Sequence, residues 1–203
     1  MSDFFNLQTQ NLSTPLKNKL IYVVGASGSG KDSIINYCCK HLFETLLLPV
    51  VVPHRFITRQ DTQHEKSLYL TEDEFLKKSE QNGFAMQWQA NHFYYGIGKD
   101  IDACLLDNCV VVVNGSREYL PVAKKKYGKI LYSIAIEVPV DVLEKRLCER
   151  GRESIDDIRL RLQRHKQLSE TIKTDAVIYN VGSVAEASQS FVNKISTVTH
   201  LVS

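Results

Sequence analysis

The chain has 203 residues, 43% of them hydrophobic and 24% charged, and its 25 Lys+Arg against 23 Asp+Glu leave a formal net charge of +2. That length is enough to bury one substantial core and short for two domains, and so even a charge balance points to neither nucleic acid nor an anionic membrane as a partner. Five cysteines without a C-x-x-C spacing form an odd set, which suits reduced thiols in a cytoplasmic protein better than a disulfide or zinc framework.

Residues 1–19 contain Asp3 and no apolar segment, so they are expected to form a flexible leader and not a secretory signal, with residues 20–203 folding as a single domain. The longest apolar stretches, LLLPVVVP and CVVVV, are far too short to cross a bilayer, and a soluble protein is expected. From Leu20 onward short apolar runs alternate with amphipathic segments: LIYVV, then residues 32–44, then LLLPVVV, CVVVV, ILYSIAIEV and AVIY ahead of a last helix. Runs of roughly four to eight residues bounded by turns are how strands covered on both faces read. The expected fold is therefore α/β, a parallel sheet flanked by helices.

The first apolar run leads straight into GASGSGKDS. In the pattern G-x-x-x-x-G-K, glycines let successive backbone amides turn inward around phosphate oxygens, the helix start adds partial positive charge, and the lysine reaches the terminal phosphates. Gly25, Gly30 and Lys31 supply that skeleton, Gly28 adds freedom, and Ala26, Ser27 and Ser29 fill the remaining loop positions. With a strand before it and an amphipathic helix after it, the motif reads as a P-loop, with ATP the expected donor and Lys31 the catalytic cation. Magnesium in such loops normally takes a Ser or Thr hydroxyl after the lysine and an acidic residue at the end of a neighbouring strand. Here Asp32 follows the lysine, Ser33 comes next, and CVVVV ends in the neutral Asn114. Either the acidic metal contact has moved into the loop at Asp32, or Asp32 caps the helix and Ser33 serves the metal; both remain open.

Between about residues 53 and 99 the rhythm shortens, and TEDEF offers a capping box in which Thr71 and Glu74 satisfy each other's helix-start amides. This segment is expected to be an inserted acceptor-binding subdomain. A second break falls in CERGRESIDDIRLRLQRHK, where a Gly- and Arg-containing turn separates two helical patterns and Ser154 can cap the second. Residues from about 148 to 156 read as a lid whose closure would bring arginines to the moving phosphoryl group, with Arg150 and Arg152 the chosen pair.

Taken together, GASGSGKDS, the arginines of RFITR, FYYGIG, RLCERGRES, IRLRL and DAVIYN resemble the guanylate kinase superfamily over nearly all of the chain after residue 19. Within it, the loop-Asp GSGKDS, with ITR, WQA, YGIG, VVVNGSR and RGRES, is similar to the ribose 1,5-bisphosphate phosphokinases of phosphonate degradation. The resemblance implies a guanylate kinase-like P-loop fold, ATP and Mg2+, a small sugar-phosphate acceptor, and no nucleic-acid or membrane partner; a homodimer is compatible with it. It also implies that Arg55 and Arg59, with Thr58 and either Tyr94 or Tyr95, cradle the acceptor phosphate, and that Arg161 bridges phosphates. Asn180 resembles the residue bordering the adenine, and Ser116 and Arg117 of the NGSR turn are placed at the acceptor, Arg117 on a second phosphate.

Where guanylate kinases recognise guanine with acidic side chains, the matching positions are read as Gln89, with Gln87 as the register alternative, and Asn114. An amide offers one acceptor and a mismatched donor to the guanine N1 and N2 hydrogens, which makes GMP a poor acceptor and a sugar a better one. The alternatives are a guanylate kinase, or a silent guanylate kinase-like interaction module; the intact Gly25, Gly30 and Lys31 weigh against the second. His54, His92 and His165 are read as bystanders or local hydrogen bonders, and Arg159 and Arg164 as solvent-facing helix residues.

Overall fold

In the computed structural model the described residues are 19–46, 49–60, 67–151 and 154–199. Strand β1 (Leu20–Val24) and helix α1 (Lys31–Leu46) are followed by β2 (Val50–Val51), β3 (Arg55–Ile57), β4 (Ser67–Tyr69), α2 (Glu72–Glu80), β5 (Phe84–Ala90) and β6 (Phe93–Gly98). Then come α3 (Asp100–Leu106), β7 (Val110–Asn114), α4 (Leu120–Tyr127), β8 (Leu131–Glu137), α5 (Val140–Arg150), α6 (Ile155–Thr171), β9 (Ala176–Tyr179) and α7 (Val184–Thr199).

The continuous apolar runs form the strands of one sheet in the order β2-β7-β1-β8-β9, parallel at every pairing. Each position of β1 and β7 is buried, which follows from helices covering both faces of a parallel sheet. On one face Ile21 and Val23 of β1 meet Ile34 and Ile35 of α1 and Phe191, Val192 and Ile195 of α7. On the other, Leu20, Tyr22 and Val24 meet Ile101 and Leu105 of α3 and Leu120 and Ala123 of α4. Tyr22 and Phe191 are among the largest fully buried side chains, and burying one aromatic or aliphatic chain of that kind stabilises by about 1.5–3 kcal/mol.

The segment from β3 to β6 builds a second sheet, β4-β3-β6-β5, in which β6 runs antiparallel to both β3 and β5. Helix α2 closes over it with the capping box formed, Thr71 Oγ1 accepting from the Glu74 amide at 3.3 Å and Glu74 Oε2 accepting from the Thr71 amide at 2.8 Å. Phe75 anchors that helix by stacking on Phe84 and Tyr94, with ring centroids 4.5 and 5.4 Å away. Ala85, Met86 and Ile97 carry this sheet into the main core beside Ile101. A third apolar group, Val138, Leu143, Leu147 and Ile158 with Ala26 packed against it, sets α5 and α6 over the loop that follows β1. Ser154 caps α6 by accepting from the Asp157 amide at 3.2 Å. Among the described residues no helix is long and apolar enough to cross a membrane.

Candidate active site

The loop between β1 and α1 lies where a parallel strand ends and a helix begins, so its amides converge with the positive end of α1. Lys31 Nζ folds back and donates to the carbonyl oxygens of Gly25 and Ala26, 2.8 Å each. From beneath, the buried Asn180 just after β9 donates its Nδ2 to the Ser29 carbonyl at 2.9 Å, while its own amide donates to the Glu137 carbonyl at 2.8 Å. Gly30 sits at φ +86°, and a Cβ there would overlap the Asn180 side chain. Any other residue at this position would therefore meet both backbone strain and a clash. Ser29 Oγ and Asn180 Oδ1 are buried with no hydrogen-bond partner among the described residues.

Asp32 does not act as a simple helix cap. Its Oδ1 accepts from Asn114 Nδ2 at the end of β7 (2.6 Å) and lies 3.6 Å from Arg55 of β3, so one carboxylate links the donor loop, the central sheet and the second sheet. The Asn114 amide must turn its nitrogen to Asp32, since its oxygen there would be repelled by the carboxylate. That leaves Asn114 Oδ1 buried beside Asp32 without a partner among the described residues. A carboxylate next to an unpartnered buried oxygen is a donor set that suits a hard cation, so this corner, with Ser33 alongside, fits a magnesium ion.

The turn after β7 is held by Tyr22, whose hydroxyl accepts from the Ser116 amide at 3.0 Å and donates to the Ser116 carbonyl at 3.1 Å. Burial pushes the Tyr22 phenol well above its usual range, which keeps it a donor. A Cβ on Gly115 would overlap the Tyr22 ring, so this close approach requires glycine. The turn delivers Arg117 into a buried network: one guanidinium nitrogen pairs with Glu137 Oε1 at the end of β8, and the other meets Nδ1 of His165 on α6 at 2.8 Å. His165 Nε2 lies 3.5 Å from Glu137 Oε2. Burial, and then the neighbouring Arg117, hold the His165 imidazole below its ordinary pKa, with Glu137 opposing and Lys31 adding to the effect. The ring is therefore neutral near pH 7, accepting at Nδ1 and carrying its proton on Nε2.

One open cleft of about 670 Å³ joins these parts. Of the residues expected from the sequence, the loop positions from Gly25 to Ser33 other than Ser29 line it, together with Arg55, Arg59, Tyr95, Asn114, Ser116, Arg117 and Arg161. Ser29 and Asn180 sit behind the loop wall and do not face the cleft. Thr58 is used internally, its Oγ1 accepting from the Tyr94 amide at 3.0 Å, and Tyr94 packs on Phe75, which leaves Tyr95 as the tyrosine of the pair that reaches the cleft. Arg150 is the last residue of α5, and Arg152 lies outside the described residues, as do residues 1–18.

Positions on two elements, β5 and α6, differ from expectation for reasons of periodicity. On β5 it is Trp88 and Ala90 that line the cleft, while Gln87 and Gln89 are exposed; alternation along a strand puts a residue and its neighbour on opposite faces. Trp88 pairs with Tyr95 in register and stacks on it, centroids 5.7 Å apart and planes 4° from parallel. On α6, Arg161, Arg164, His165 and Leu168 all line the cleft, spaced as one helical face. Arg164 is thus not merely solvent-facing, for it also pairs with Glu118 at 2.6 Å, and of the two readings of His165 the local hydrogen bonder is the one its contact with Arg117 matches. Arg159 remains exposed, paired only locally with Asp156. Asn91, also in the lining, forms with His92 the two-residue tip joining β5 to β6, both at positive φ (49° and 64°) as such tight hairpin turns demand.

No family model matches the chain. The curated ribose 1,5-bisphosphate phosphokinase PhnN of Enterobacter lignolyticus is 39% identical over 183 residues, covering 90% of this chain and 94% of that protein. The PhnN proteins of Pectobacterium parmentieri and Burkholderia mallei are 42% and 43% identical over 80% and 72% of this chain, and 85% and 77% of their own. Among solved structures, guanylate kinase from Anaplasma phagocytophilum superposes with a TM-score of 0.66 over 93% of this chain and 89% of its own, at 16% identity. That likeness establishes the fold, an α/β P-loop kinase architecture. The sequence relationship, held at this level across most of both chains, establishes more: the protein belongs to the PhnN family of ribose 1,5-bisphosphate phosphokinases.

Proposed function

We propose that the protein transfers the γ-phosphoryl group of ATP to the C1 phosphate of ribose 1,5-bisphosphate, giving 5-phosphoribosyl 1-diphosphate and ADP, as a cytoplasmic enzyme of phosphonate catabolism. The observation that carries this reading is the cleft of about 670 Å³, which is lined both by the loop with Lys31 and by Arg55, Arg59, Trp88 and Tyr95. The loop suits a triphosphate and the second group a smaller anion.

The attacking atom would be a phosphate oxygen that is already anionic near pH 7, so no general base is required. The demand is instead to hold two polyanions together against their repulsion, by positioning and by fixed positive charge. Lys31 would leave the loop carbonyls for the donor's terminal phosphates. Arg55 and Arg59 would hold the acceptor by paired hydrogen bonds, and Arg161 and Arg164 would close from α6. Trp88 and Tyr95 would give the sugar ring an apolar wall, with Asn91 and Asn114 offering both donors and acceptors to its hydroxyls. A magnesium ion, held by Asp32 or Ser33 with Asn114 beside them, would supply neutralisation of charge on the donor phosphates. A homodimer is compatible with this reading and carries no part of it.

The test is incubation of the purified protein with γ-labelled ATP, magnesium and either ribose 1,5-bisphosphate or GMP. Label is expected in 5-phosphoribosyl 1-diphosphate, at a kcat/KM at least about a hundredfold above that for GMP, a gap of about 2.7 kcal/mol in transition-state binding. Transfer to GMP alone would replace this reading with guanylate kinase activity.

A further inference from the structure

Arg117, Glu137 and His165 come from three separate elements, the turn after β7, the end of β8 and the middle of α6, and they meet almost out of reach of solvent. Arg117 and Glu137 share one ion pair, and side-chain exposures are 6% for Arg117, 6% for His165 and 16% for Glu137. Such a group is not needed for folding alone, because desolvating charge costs more than an apolar contact of the same size. Its position is informative. Glu137 lies directly after Ile136, whose carbonyl abuts Gly25 at the root of the phosphate loop. Arg161, one turn before His165 on α6, faces the same cleft as Lys31.

We propose that His165 is a positioning residue for phosphoryl transfer: by accepting from Arg117 at Nδ1 and facing Glu137 with Nε2, it fixes α6 so that Arg161 stays turned toward the phosphate loop. In this role Arg117 acts through its neighbours and does not itself grip an acceptor phosphate, since its guanidinium is already shared between Glu137 and His165. Of the other charged groups, Lys31 from α1 also acts on the imidazole, and Arg161 and Arg164 of α6, the latter tied to Glu118, line the same cleft. A cationic imidazole among them would be repelled, and only the neutral form can accept the bond that Arg117 donates.

The kinetic half of the test rests on the function proposed above, and the spectroscopic half on geometry alone. In His165→Asn the amide oxygen occupies roughly the place of Nδ1, whereas in His165→Gln it occupies roughly the place of Nε2. The Asn variant is expected to keep kcat within about threefold of the parent, and the Gln variant to lose at least about tenfold in kcat with KM for ATP within about threefold. Equal kcat in the two variants, high or low, would overturn the proposal. Long-range proton–nitrogen spectra of the parent near pH 7 are expected to show His165 neutral with its proton on Nε2; an Nδ1–H tautomer or an imidazolium would overturn it as well. If the parent transfers nothing to ribose 1,5-bisphosphate, the substrate reading falls. The same two variants are then compared on slow ATP hydrolysis, where the tenfold split is still expected and its absence is decisive.

Discussion

Asp32 occupies the position after the loop lysine, and its contacts explain why a negative charge is tolerated beside a phosphate site: Asn114 donates to it and Arg55 stands 3.6 Å away. Asp32→Asn would keep the shape and remove the charge. The magnesium concentration giving half-maximal rate is expected to rise at least about tenfold, because a neutral amide is a weaker ligand for a hard cation; an unchanged magnesium titration would assign the metal to Ser33. Trp88 and Gln89 form a second contrast. Trp88 stacks on Tyr95 inside the cleft, while Gln89 is exposed. Trp88→Ala is expected to lower stability by about 2–4 kcal/mol and to raise the acceptor KM, and Gln89→Ala to leave both nearly as they were. Steady-state kinetics with calorimetry on the pair checks this, and an acceptor defect confined to Gln89→Ala would move the binding face of β5. The glycines and Lys31 of the loop, and Arg55, Arg59 and Arg161 of the cleft lining, were legible as single letters. Trp88, Arg164 and His165 were not, although the stripe Ile158, Arg161, His165 and Leu168 carries a helical spacing that could have pointed to His165.

At the scale of elements, the donor site is only as rigid as the strands and helices that end there. Strand β9 contributes Asn180 to the underside of the loop, yet it is the edge of the sheet and is short. Asp175 fixes its start: its Oδ2 accepts from the Ser133 amide at 2.8 Å and from the Ser133 hydroxyl, and Oδ1 pairs with Lys124 at 3.1 Å. Burial works to raise the Asp175 pKa, but the Ser133 and Lys124 contacts outweigh it and hold the carboxyl below its ordinary value. Asp175→Ala is expected to cost about 1–3 kcal/mol through the lost bonds to Ser133. The apparent Kd for ATP should weaken with it, as Asn180 loses its fixed seat. Denaturant unfolding and nucleotide titration measure the two effects, and a full loss of stability with ATP binding intact would separate β9 from the loop.

For the whole molecule, acid should act in two stages. His165 has a folded pKa lowered from its ordinary value, so below about pH 6.5 the unfolded chain takes up that proton more readily than the folded one. The stability His165 contributes is thus complete above that pH and is lost as pH falls through it. Asp175, Glu74 and Glu186 also have lowered folded values, Glu74 and Glu186 through bonds at helix starts, and their contributions disappear only below about pH 4.5. Thermal unfolding followed against pH is expected to show a shallow loss near pH 6 that His165→Asn abolishes, ahead of a steeper loss that it leaves in place; a profile flat to about pH 5 would contradict the first stage.

The order of apolar runs, the phosphate loop and its lysine, the capping box at Thr71 and Glu74 and the start of α6 at Ser154 were all determined locally, by periodicity, by backbone freedom and by donors and acceptors a few residues apart. Which of Gln87, Trp88 and Gln89 lines the cleft, and which side chains Arg117 pairs with, depended on distant chain. The pleat of β5 is set by its pairing with β6, and the partner of Arg117 arrives on a helix 48 residues further on. Side-chain facing and the pairing of buried charge are properties of contacts between elements, so only the assembled tertiary structure could decide them.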